Sequence, residues 1–179
     1  DYFFRPYSVN IQNIAFRKRQ NLGIKKIYAL KEVITESLSR YLEVEQFLNI
    51  ETSFSNPLSN FLIRDGEDVE KAVDQLIKHW KIGINAIPNV IEMLEDKEIK
   101  VIETDAPLEF DGLSGWVDDN VPIIVVNKNY EIERKRFNAL HELGHTILRF
   151  DENLSEKEVE KLCHRFAGAL LIPKETFFT

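Results

Sequence analysis

Ala139-Leu140-His141-Glu142-Leu143-Gly144-His145-Thr146 sets two histidines four residues apart, with a glutamate directly after the first. A helix turns about 100° per residue, so His141 and His145 stand one above the other on a single face. Two imidazoles so placed grip one metal ion. Glu142 points to the side of that face, where it accepts a proton from an attacking water without becoming a ligand. The competing reading of the stretch is a pair of core histidines on a buried helix. Around it, Phe137, Leu140, Leu143, Ile147 and Leu148 are apolar on several sides, which predicts a central helix from about Ile132 to Leu148. Gly144 costs that helix roughly 1 kcal/mol against alanine. The compensation expected is close approach of another backbone beside the metal.

Asp151-Glu152-Asn153 breaks the helix, and Ser155-Glu156-Lys157-Glu158 reads as a capping box that starts the next one, which runs to Leu171 and is stopped by Pro173. A catalytic zinc takes three protein ligands and keeps one position open. The acidic candidates for the third are Asp151, Glu152, Glu156, Glu158 and Glu160, with His164 as the remaining nearby histidine. Glu160, Cys163 and Ala167 share one face of the second helix, at i, i+3 and i+7, while Leu162, Phe166 and Leu170 share another. The small face suits packing against Gly144 and brings Glu160 within reach of the metal. His164 follows one turn on, as a rival ligand or as a partner of the ligands. Cys163 reads as a small buried hydrophobe.

Upstream, apolar residues recur at helical spacing from Ile24 to about Leu48. Ser53 to Asn60 is a loop, and a second helix runs from about Glu67 to Ile82 with Gly83 as its C-terminal cap. His79, near its end, reads as a surface or half-buried residue and not as a ligand. A short helix covers Pro88 to Asp96. The period then changes: Glu98 to Glu103, Leu113 to Val117 and Pro122 to Val126 are strands, the last two joined by Asp118-Asp119-Asn120, and together they predict a small antiparallel sheet. Ile123-Ile124-Val125-Val126 suits either an edge that pairs with an extended substrate or a buried central strand.

The 179 residues, 44% hydrophobic, are enough to bury a sizeable core. The expected organisation is a helical N-terminal extension over 1–60 and an α+β domain over 61–179. The single cysteine excludes an internal disulfide framework and suits a reducing cytoplasm. No apolar run reaches transmembrane length, so no membrane partner is expected. Residues 1–40 carry net charge +5 on a remainder of −12. Arg17-Lys18-Arg19 with Lys25-Lys26 is a short basic run that reads as a solvated face, and an acidic chain is not in itself a nucleic-acid binder. Tyr2-Phe3-Phe4 and Tyr7 form an aromatic cluster that packs into the domain or docks a partner. A start at Asp1 and an end at Thr179 suggest a piece of a longer protein.

Several stretches together resemble the ImmA/IrrE metallo-endopeptidases. They are Phe110-Asp111-Gly112-Leu113-Ser114-Gly115-Trp116, Ile124-Val125-Val126-Asn127, Arg136-Phe137 leading into His141 to His145, and Glu160 through Pro173. The resemblance covers about residues 60 to 175 and implies a zincin-like core in which a small antiparallel sheet packs on the helix of the HExxH motif. Carried over by position, it makes His141, His145 and Glu160 the ligands of one Zn²⁺ and Glu142 the catalytic base. Two departures are His164, where the family often has Asn, and Ile172, where it often has Met. The resemblance also implies cleavage of a helix-turn-helix repressor, derepressing mobile-element or stress genes, and any DNA contact is expected only through a missing N-terminal domain. The oxyanion partner is open among Tyr130, Arg136 and His164. Other classes consistent with the sequence are a metal-binding sensor and a DNA-associated regulator that keep the fold without proteolysis.

Overall fold

A mixed sheet lies at the centre of the computed structural model, which describes residues 14–16, 24–50, 53–83 and 85–172. In chain order the elements are β1 (Ile14–Phe16), α1 (Ile24–Phe47), β2 (Leu62–Ile63), α2 (Gly66–Trp80), α3 (Val90–Glu95), β3 (Lys100–Thr104), β4 (Gly112–Val117), β5 (Val121–Asn127), α4 (Ile132–Ile147), β6 (Arg149–Phe150) and α5 (Glu156–Leu171). The α+β class is as expected, but the sheet order is β1-β4-β5-β3, with β4 antiparallel and β3 parallel to β5. The expectation of an all-antiparallel sheet is therefore corrected. From β3 the chain passes over the place that β5 will fill, forms β4 on its far side, and returns through a hairpin. That hairpin turns on Asp118 and Asp119, both left-handed (φ 48° and 60°), and Asn120 N–H donates to Val117 O at 3.2 Å. Aspartate tolerates this region better than most residues, which suits it to such a turn.

The edge reading of Ile123–Val126 is corrected as well. β5 is hydrogen-bonded on both sides, and all four side chains are fully buried. An unbroken β-branched run signals a strand covered on both faces, and here both are covered. Val101, Ile124 and Val126 point into the larger core, with α2, α3, α4 and α5. Ile102, Val117, Ile123 and Val125 point the other way, against Ile34 and Leu38 of α1. Residues expected to form an N-terminal extension thus include a helix that covers one face of the sheet. Lys100 is tied to it: its Nζ lies 2.5 Å from Glu45 Oε1 and 5.2 Å from the centre of the Tyr41 ring. Such a buried pair adds little net stability, yet losing one partner typically costs about 3–5 kcal/mol. The loop over 53–60 also reaches the larger core through Leu58, and Asn56 Nδ2 donates to Ile147 O at 2.8 Å.

Asp65 caps α2 by accepting from the amides of Glu67 and Asp68. Its C-terminal cap is Lys81, in the left-handed region, and not Gly83. His79 is exposed, as expected. The strands β1, β2 and β6 are too short to leave a period in the sequence. β2 and β6 pair in parallel, Leu62 with Arg149 and Ile63 with Phe150, which pins the exit of α4 beside the start of α2. Tyr2-Phe3-Phe4, Tyr7, Arg17-Lys18-Arg19, Pro173 and the side chains of Lys25 and Lys26 lie outside the described residues.

Candidate metal centre

α4 begins as an exposed helix and becomes fully buried from Ala139 to His145, because its second half passes between the sheet and α5. The histidines and Glu142 are therefore buried. Ser155 starts α5 as the sequence indicated: its Oγ accepts from the Glu158 amide, and the Glu158 carboxylate accepts from Ser155 N–H at 2.8 Å. The Ser155 hydroxyl, which donates to Glu158 Oε2 at 2.6 Å, and after it the Ser155 N–H hold the Glu158 carboxyl below the usual carboxylate range. The box sets the phase of the helix, and Glu160 lies within its second turn, facing α4.

Gly144 lets the two helices meet. A Cβ built on it would lie 3.2 Å from Phe166 Cδ1, 3.4 Å from Cys163 Sγ and 3.5 Å from Cys163 Cα. A methyl there would press on Phe166 by a few tenths of an ångström, and the glycine does admit a neighbouring backbone. Across that contact Glu160 reaches both histidines. Its Oε2 lies 3.3 Å from His141 Nε2, its Oε1 lies 3.0 Å from His145 Nε2, and the two Nε2 atoms are 3.1 Å apart.

These separations fit a metal. Zinc binds nitrogen and oxygen at about 2.0–2.2 Å, and neighbouring corners of a tetrahedron of that size are roughly 3.3 Å apart. Two imidazoles and a carboxylate also form a donor set that zinc favours. His141, Glu160 and His164 form a second overlapping set, with donor atoms all within 4.8 Å of one another. His164 is exposed and stacks on Phe137 at 5.6 Å, and its ring centre lies 4.3 Å from that of His141.

Glu142 is 2% exposed and leans toward the start of β4. A Cβ on Gly112 would come within 3.2 Å of its Cγ and 3.5 Å of its Oε1. The loop that delivers Gly112 is firmly held. Asn127 Nδ2 donates to the carbonyls of Ala106, Pro107 and Phe110 at 2.9–3.1 Å, and Asn138 Nδ2 donates to Asp111 O at 3.2 Å.

Of the oxyanion candidates, two are engaged away from the histidines. Tyr130 OH donates to Leu108 O beneath the Arg134 guanidinium, and Arg136 Nη2 donates to Ile87 O at 2.6 Å. Cys163 does more than fill space. Its Sγ lies 3.4 Å from His145 Nδ1, the ring nitrogen turned away from Glu160. Its place one turn after Glu160 was the available signal, but composition reads a buried cysteine as a hydrophobe. Asp151, Glu152, Glu156 and Glu158 are not among the groups gathered here.

A helix carrying His-Glu-x-x-His, faced by a glutamate from the next helix, has the layout of a metallopeptidase centre. Residues 94–178 match the peptidase M78 family, described as the IrrE N-terminal-like domain. The match begins at the end of α3, so it holds the sheet from β3 onward and both helices of the centre, while α1 and α2 precede it. A comparison with curated proteins gives no match. No helix among the described residues is long and apolar enough to cross a membrane.

Proposed function

We propose that this protein is a zinc-dependent endopeptidase in which His141, His145 and Glu160 hold one Zn²⁺ and Glu142 is the general base. The observation that carries the reading is that His141 Nε2 and His145 Nε2, 3.1 Å apart, each lie within 3.3 Å of a Glu160 carboxylate oxygen, with Glu142 buried on the same helix. When bound, the ion supplies Lewis acidity and brings the pKa of water toward about 7. Glu142 takes the proton of the attacking water and returns it to the leaving amine. Gly112 keeps that carboxylate in place, and Cys163 orients the His145 ring from behind. Water enters on the side of exposed His164.

The substrate is a protein segment in extended form. A substrate strand would pair with the sheet at the Gly112–Ser114 stretch of β4, which lies beside Glu142. This stretch takes the role first considered for β5. The family match favours a helix-turn-helix repressor as substrate and relief of transcription as the outcome. A single cysteine, the buried Cys163, suits work in a reducing cytoplasm.

Glu142→Gln tests the reading directly. It is nearly isosteric, so melting and zinc content should match wild type, while cleavage of a helix-turn-helix repressor falls by about 10²–10⁴. Glu160→Ala should instead lose zinc while keeping the capping box and the apolar face of α5. Unchanged cleavage by the Glu142 variant at equal zinc loading would sink the assignment. Failure of zinc-loaded wild type to cut any such repressor would favour a metal-binding sensor.

A further inference from the structure

We infer that His164 is a fourth ligand of the resting site, an imidazole that closes the position through which water and substrate reach the metal. The inference rests on the reading of His141, His145 and Glu160 as ligands. Its first support is distance, since His164, His141 and Glu160 each bring a donor atom within 4.8 Å of the others. The rings of His141 and His164 are 4.3 Å apart at their centres, closer than the 4.8 Å between His141 and His145. Its second support is restraint. Phe137, from the exposed half of α4, stacks nearly parallel to His164, at 18°. An exposed imidazole on α5 is thus held over the site by a side chain of the opposite helix.

Its third support is direction. Burial decreases from His141 through Glu160 to His164, which is exposed. His164 therefore stands on the solvent side, where a catalytic zinc site keeps its open position. Four side-chain ligands make a closed site of the kind used for structure, and three make one that admits water. His164 converts between the two by rotating its own side chain, because exposed rotamers change without displacement of the helix. The resting enzyme is then latent, and substrate opens it by outcompeting one imidazole.

The test compares wild type with His164→Asn and His164→Ala, whose exposed position leaves the fold intact, as melting will verify. Zinc affinity is measured by competition with a chromophoric chelator, visible spectra are taken on the Co²⁺-loaded proteins, and acetohydroxamate is titrated into each. The variants should bind zinc roughly 10- to 100-fold more weakly. Their cobalt bands should change as a nitrogen donor is lost, and they should bind acetohydroxamate more tightly because its position is vacant. Unchanged affinity, spectrum and hydroxamate binding would overturn the inference alone. A wild type that takes up neither metal would overturn the three-ligand reading and this inference with it.

Discussion

Gly144 shows how much depends on one missing side chain. Alanine there would gain about 1 kcal/mol of helix propensity. It would also place a methyl 3.2 Å from Phe166 and 3.4 Å from Cys163, and overpacking of this kind costs about 1–3 kcal/mol. The second effect is the larger, so Gly144→Ala should melt a few degrees lower. It should also bind zinc more weakly, because α5 carries Glu160 away from α4. Calorimetry with chelator competition checks both, and a stabilised variant with full zinc affinity would show that the helices have room to spare. At this scale the sequence was largely legible: spacing put His141 and His145 on one face and marked the Ser155 box. The small face of Glu160, Cys163 and Ala167 also marked the packing of α5 on Gly144, but individual side-chain contacts left no such trace. The Cys163 thiol against His145 depends on how α5 is rotated relative to α4, which no period encodes.

Strand order was the least legible feature. Alternation and turn chemistry located β3, β4 and β5 to within two residues, but nothing local distinguishes a neighbour in sequence from a neighbour in the sheet. The parallel pairing of β3 with β5 depends on the loop over 105–111, whose carbonyls are gathered by Asn127. Lys100, within the stretch from Glu98 to Glu103, likewise carries no local sign of burial. Lys100 is buried because α1 covers its face of the sheet. The central place of β5 makes a clear prediction. Val125→Pro removes a backbone donor from a strand buried on both faces and should abolish cooperative melting altogether. A folded, zinc-binding Val125→Pro protein would mean that β5 tolerates loss of its ladder.

Across the whole molecule, the two faces of the sheet do different work: α1 anchors one, while α4 and α5 build chemistry on the other. The candidate donors, His141, His145, Glu160 and His164, all belong to the single helical hairpin of α4 and α5. A bound ion therefore clasps two neighbouring segments and spans no distant part of the chain. Ligand at a hundred times its dissociation constant adds about 2.7 kcal/mol to whatever state binds it. Here that increment falls on the docking of α5, so stripping the metal should leave the β4–β5 hairpin as slow to exchange its amide hydrogens as before while those of α5 exchange markedly faster. Mass spectrometry after deuterium labelling reads the difference segment by segment, and uniform loss of protection would deny it. Metal supply would then govern local fraying at the one place where the protein must let a substrate in.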